Sequence, residues 1–258
     1  MTVVEVRRAE SRFVTRTDWL TSYHSFSFGD HYDPANLGFG ELQAHNEDVV
    51  APLSGYDTHS HRDMDIVTWV LEGSLVHRDS RGTVGELRTG LVQAMSAGTG
   101  IRHSERNESR AEPAHFVQMW VAPAEPGLPP RYQQADVGDS LVRPAWTILA
   151  SGMSRYQGEA AVRITNPHAA LLASRLTAGA AVTLPEARYV HLFVVRGAVV
   201  LEGAGRLKQG DAVRITAGSG QRITAGGATG GATGITAGIA ADEPAELLVW
   251  EMHARPDR

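Results

Sequence analysis

The chain of 258 residues contains no cysteine. Disulfides, thiolate nucleophiles and thiolate metal sites are therefore excluded together, and any bound metal must be held by nitrogen and oxygen. Apolar runs are short as well, and none approaches the roughly 18 residues of a membrane-spanning helix. An excess of basic charge is missing: 24 basic against 29 acidic side chains leave a net charge of −5, with no basic field to draw nucleic acid. The opening MTVVEVRRAESRFV lacks the apolar core of a signal peptide. These absences predict a cytoplasmic protein with no direct nucleic-acid or membrane partner. Helical periodicity is also scarce. WLTSYHSF and PHAALLASRL are modest helical candidates, and the second reads equally well as a strand.

What is present is strand pattern. Hydrophobic residues make up 42% of the chain, enough for an ordinary core and against general disorder. IVTWVLEG (66–73), FVQMWVAP (116–123), VHLFVVRGAVVLEG (190–203) and ELLVWEM (246–252) are rich in β-branched and aromatic residues and bounded by turn formers. Many short strands of this kind predict an all-β sandwich or barrel. An internal repeat predicts two of them. IVTWVLEGSL (66–75) matches VHLFVVRGAV (190–199), and LRTGLVQAMSAG (87–98) matches LKQGDAVRITAG (207–218). A long unit used twice reads as a duplicated domain. The expected boundary follows the proline-rich APAEPGLPPRY, giving domains 1–135 and 136–258. A Gly/Ala/Thr-rich loop at 217–241, with ITAG at 215–218, 223–226 and 235–238, offers no chemistry.

The chemistry-bearing residues are histidines. YDTHSH places His59 and His61 at i, i+2, the same face of a strand, with Cα atoms about 6.6 Å apart. Two imidazoles at that spacing can converge on one ion at nitrogen–metal distances of about 2.0–2.1 Å. GTGIRHSERN supplies His103 and Glu105 with the same spacing. Should both strands line one barrel, three imidazoles and a carboxylate meet inside it. Asp63 and Asp65 share the parity of the first pair. The longer Glu105 is preferred as ligand and Asp65 as a group orienting an imidazole, but parity leaves the choice open. His24, His31 and His45 are expected to serve hydrogen bonding, His115 packing, and His168 and His191 no special role. Phe26, Phe28, Phe39 and Trp69 read as core, with some of them available to a pocket mouth. GTGIR lacks the helix and downstream acidic residue of a dinucleotide site.

HSFSFGDHYDPANLGFGELQAHNEDVVAP, THSHRDMDIVTWVLEGSLVHRDS and VQAMSAGTGIRHSERN closely resemble the pirin family, from about Trp19 to Val121. The resemblance implies two tandem cupin barrels (double-stranded β-helix, or jelly-roll). The first, 1–135, would bind metal, and the second, 136–258, would be metal-free. The family's ligand pattern falls on His59, His61, His103 and Glu105. Two departures concern turns rather than ligands: Thr58 stands where many pirins have proline, and RTGLVQ replaces a Pro-Gly-Asp turn.

The resemblance implies one divalent transition metal, iron(II) first, with nickel, cobalt, manganese and copper as alternatives. It further implies a quercetinase-type 2,3-dioxygenase acting on a flavonol-like small molecule and dioxygen. Glu105 would then be both ligand and catalytic general base toward the flavonol 3-hydroxyl. A second implication is a redox-sensitive metal-binding protein that regulates a transcription factor or metabolic enzyme through a protein partner. A monomer is expected, because two barrels in one chain can satisfy each other.

Overall fold

The computed structural model describes residues 2–217, 220–225 and 243–255. Among them the regular elements are β-strands and three 3-10 turns, Ala9–Ser11, Gly138–Val142 and Ser154–Tyr156. Both segments are strands, which corrects the helical reading of WLTSYHSF and settles PHAALLASRL on its strand alternative. WLTSYHSF alternates buried and partly exposed residues at period 2 over Leu20–His24, and PHAALLASRL is buried on both faces over Ala169–Leu176.

The chain packs as two units. The first comprises residues 12–139 and 148–170; the second comprises 2–11, 140–147 and the described part of 171–254. This division differs from a single cut at 135/136: the N-terminal strand β1 (Val3–Arg7) belongs to the second unit, and 148–170 to the first.

The first unit holds β2 (Phe13–Arg16), β3 (Leu20–His24), β4 (Leu42–Val50), β5 (Gly55–His61), β6 (Asp65–Glu72) and β7 (Ser74–Asp79). It continues with β8 (Val84–Arg88), β9 (Leu91–Ser96), β10 (Ile101–Arg106), β11 (Ala114–Val121) and β12 (Arg131–Asp136). Two antiparallel sheets result, ordered β12-β9-β6-β11-β4-β3-β2 and β5-β10-β7-β8. The central strand β6 is buried at every position but its last, as its unbroken apolar run requires. Leu20, Val50, Val70, Leu75, Leu87 and Phe116 form one core cluster, and Ile66, Met95, Ala97 and Ile101 another. In β5 the pattern instead alternates, with Thr58 and Ser60 exposed and His59 and His61 half-buried.

Two strands straddle the units, β13 (Thr147–Ser151) and β14 (Ala169–Leu176). The second unit adds β15 (Ala181–Thr183), β16 (Tyr189–Arg196), β17 (Ala198–Leu201), β18 (Gly205–Lys208), β19 (Ala212–Thr216), β20 (Arg222–Ala225) and β21 (Ala245–Met252). Its sheets contain the orders β1-β19-β16-β21-β14 and β15-β20-β17-β18. The second order repeats β5-β10-β7-β8 strand for strand.

One glycine per unit makes the duplication physical. Gly73 (φ 68°) and Gly197 (φ 74°) each end a buried central strand in the left-handed region. A Cβ at Gly73 would strike the Pro113 carbonyl oxygen, and one at Gly197 would strike that of Pro244. Only glycine meets both demands. Of the Gly/Ala/Thr-rich loop expected at 217–241, Arg222–Ala225 forms β20; residues 218–219 and 226–241 lie outside the described residues.

Candidate metal centre

The inner face of β5-β10-β7 carries the histidines. β10 pairs antiparallel with β5 so that His103 lies opposite His59 and Ile101 opposite His61; a bulge after His103 sets Glu105 opposite Tyr56. On its other side β10 pairs with β7, placing His103 opposite Asp79 and Glu105 opposite His77. Same-face parity thus gathers His59, His61, His103, Glu105, His77 and Asp79 on neighbouring strands.

The structure brings these residues together as two trios. His59, His61 and His103 offer ligand atoms within 4.8 Å of one another, and so do His77, His103 and Glu105. Ring centroids of His59 and His103 are 4.5 Å apart, and those of His61 and His103 are 5.0 Å apart. Glu105 therefore shares the inner face with the three predicted imidazoles but groups with His103 and His77. His77 was missed in the sequence, although VHRDS carries it and Asp79 at the same i, i+2 spacing as the other pairs.

The donor set fits a cation. His59 Nδ1 lies 2.8 Å from the Asp57 carbonyl oxygen, which can only accept, so the proton sits on Nδ1 and Nε2 keeps its lone pair. His103 Nε2 and Glu105 Oε1 are buried without a hydrogen-bond partner, while Glu105 Oε2 accepts a bond from Gln118 Nε2 at 2.8 Å. Buried polar atoms left unpaired cost stability, and convergent lone pairs of this kind are what a metal satisfies. Electrostatics agree. Burial lowers His103 to about 2, reinforced by His59, His61 and His77, and burial followed by the neighbouring His59 lowers His61 to about 4. Both rings are neutral at physiological pH, the form that ligates. Burial raises the Glu105 carboxyl, opposed by the hydrogen bond from Gln118 and by the facing imidazoles.

The site is open on one side. His103, Glu105 and His77 are buried, whereas His59 and His61 are half-buried. Trp120, itself partly exposed, meets the His61 ring edge-on at 4.9 Å, and Phe28 meets Trp120 at 5.2 Å. A cavity of about 500 Å³ lined by Ser60, His61, Arg62, Ser80, Ile101 and Arg102 adjoins the same strand ends.

The remaining residues singled out by the sequence sort by their bonds. Asp65 does not orient an imidazole, which corrects that expectation: its Oδ2 accepts from Thr165 N and Oγ1, both at 2.7 Å, and from Asn166 N. Parity failed because β5 ends at His61 and Asp63 turns the chain at φ 48° before β6 begins. His24 and His31 share Thr15 Oγ1 at 2.9 and 3.1 Å, and His24 also meets Asn46 Oδ1. His115 bonds the Glu47 carboxylate at 2.9 Å, which also takes Arg12 at 2.6 Å. Phe26 and Trp69 are core. In the second unit, the strands corresponding to β5 and β10 place Val182 opposite Ile223, and both side chains belong to the core.

Comparison with known proteins resolves the family. The pirin family model matches residues 5–121. A Mycobacterium tuberculosis H37Rv protein, provisionally named quercetin 2,3-dioxygenase, is 50% identical over 252 residues, 98% of this chain and 96% of that one. The chain belongs to the pirin family. The crystal structure of the Escherichia coli pirin YhhW superposes on this pirin with a TM-score of 0.83 and 30% identity, covering 99% of this chain and 100% of that one. A second YhhW structure, a nickel(II) complex, matches with the same score and identity, covering 98% and 100%. An E. coli K12 protein named quercetin 2,3-dioxygenase is 46% identical over 132 residues, 51% of this chain and 57% of that one. The fold is thus a bicupin, all-β in both units.

Proposed function

We propose that the chain is a metal-dependent dioxygenase of the quercetinase type, with the metal in the first unit. His59, His61 and His103 hold the ion, and Glu105 completes the set. The observation that carries this reading is the asymmetry of the site: His103 and Glu105 are buried, while His59 and His61 border solvent. A centre anchored from within and reachable from one side suits exchangeable ligands better than a closed structural site does. The names of the mycobacterial and E. coli relatives point the same way, and the nickel complex of YhhW is consistent with a first-row metal. Iron(II) is our preferred ion, since a nitrogen-rich set with one carboxylate suits it along with nickel, cobalt, manganese and copper.

When bound, such an ion supplies Lewis acidity and redox access to dioxygen. The protein's own groups do the rest. Trp120 and Phe28 flank the approach to His61 and present apolar faces to a planar aromatic substrate. Glu105, made more basic by burial, takes the proton of the substrate's 3-hydroxyl on Oε1 while Gln118 holds Oε2.

The test is dioxygen uptake with quercetin, using protein loaded separately with iron(II), nickel, cobalt, manganese or copper and His103→Ala as the blank. Metal-dependent uptake above the blank supports the enzyme. Its absence from fully loaded protein would overturn the reading in favour of a protein-partner role.

A further inference from the structure

His77 and Asp79 have no part in the scheme above, although both side chains are fully buried on the same inner face. We propose that Asp79 and His77 form a positioning relay that fixes His103 with its proton on Nδ1 and so presents the Nε2 lone pair to the metal. The relay rests on the metal-centre reading given above.

The argument is one of counting donors. Asp79 Oδ1 is committed to a turn, accepting the backbone N–H groups of Arg81 at 2.8 Å and Thr83 at 3.0 Å. That leaves Oδ2 facing His77 Nε2 at 3.3 Å. Burial pushes the Asp79 carboxyl up, but hydrogen bonds from Thr83, His77 and Arg81 bring it below its ordinary value. With Oδ1 already accepting two amides, Asp79 faces His77 as an acceptor on Oδ2, so the proton between them belongs to His77 Nε2. His77 Nδ1 faces His103 Nδ1 at 3.3 Å, and a bond between the two nitrogens needs one proton. His103 supplies it, because a ligating Nε2 leaves Nδ1 as the only place for its proton, and His77 Nδ1 accepts. The remaining nitrogen of His103, Nε2, is the one buried without a partner. His59 reaches the same tautomer by a shorter route, through the Asp57 carbonyl. Tyr132, with its ring centroid 4.7 Å from that of His77, closes the relay from the other side.

Groups that orient a ligating histidine raise its basicity and restrict its rotation, and losing one typically costs 10–100-fold in metal affinity. Asp79→Asn makes a sharper test than deletion. The asparagine oxygen keeps the two turn amides, which directs its NH2 at His77 Nε2. Every donor in the relay then reverses: His77 carries its one proton on Nδ1 and donates it in a hydrogen bond to His103 Nδ1, and His103 carries its own on Nε2, where the metal must displace it.

The experiment combines two readouts. Long-range 1H–15N spectra of the metal-free protein assign the tautomers, and competition with a chelator measures nickel(II) affinity. We expect Nε2–H at His77 and Nδ1–H at His103 in the wild type. In Asp79→Asn both should be exchanged, with nickel affinity about 10–100-fold lower and an unchanged melting profile. His77→Phe, which removes the acceptor, should lose affinity to a similar degree and decides the matter if Asp79→Asn does not fold. A doubly protonated His77, an Nε2–H tautomer of His103 in the wild type, or folded variants that bind nickel as the wild type does would overturn the relay. A wild type that binds no nickel would instead overturn the metal-centre reading, which the tautomer spectrum tests separately.

Discussion

Burial decides the charge on Asp48. Its carboxyl, on β4, is raised to about 6, mainly by desolvation, against hydrogen bonds from Ser22 and Tyr56 that favour the ionised form; Glu105 and Glu47 push it further up. In the unfolded chain the same group titrates near its ordinary value, so the folded state binds more protons between about pH 4 and 6. Asp48 therefore favours the fold most below about pH 4, and that contribution is lost as pH rises through about 6. Metal-free Asp48→Asn should lack this loss. Its stability, followed by urea unfolding from pH 4 to 7, should gain on the wild type by up to about 3 kcal/mol as pH rises; parallel profiles would contradict the burial argument. At Glu105 the expected outcome separates two roles. Glu105→Gln keeps an oxygen but cannot take a proton, so turnover should fall by about 100-fold or more, while metal content falls much less. Equal losses, compared by uptake rate and elemental analysis, would remove the general-base role.

At the scale of the element, turns and register place the ligands. Gly73 and Gly197 end β6 and β16 where a Cβ would strike the backbone, so Gly73→Ala and Gly197→Ala should each cost at least about 1–3 kcal/mol. Thermal unfolding of the two variants checks this, and a neutral alanine at either site would show that the close approach to the proline carbonyl relaxes. These glycines were legible in the sequence as the residues that close the two matched strands of the repeat, IVTWVLEG and VHLFVVRG. The four strongest strands were legible too, because apolar β-branched runs bounded by turn formers have few other readings. The i, i+2 pairs were legible too, since parity survives within a strand. It does not survive a turn, which is why Asp65 was misplaced: Asp63 at φ 48° resets the face. Cross-strand neighbours were beyond single-strand reasoning. His77 comes to His103 through the pairing of β7 with β10, and Gln118 reaches Glu105 from the other sheet; neither contact is coded by spacing. The helical reading of WLTSYHSF failed, and that of PHAALLASRL stayed open, for a related reason, short apolar segments being strand or helix according to what they pack against.

The whole molecule is one plan used twice, and among the described residues the candidate ligand clusters lie in the first copy. The small sheets of the two units share a strand order, yet the first pairs His103 with His59, while the matching strands of the second pair Ile223 with Val182 in the core. No helix among the described residues is long and apolar enough to cross a membrane. A ligand that binds only the folded first unit stabilises it by mass action, about 2.7 kcal/mol at a hundredfold excess over Kd. Nickel should therefore raise the melting temperature of the wild type and leave that of His103→Ala where it was; an equal rise in both would place the binding elsewhere. The most direct test of the central claim is the metal stoichiometry of the reconstituted chain, measured by elemental analysis after exhaustive dialysis. The account predicts one ion per chain in the wild type and close to none in folded His103→Ala. Two ions per wild-type chain, or one retained by the variant, would contradict it.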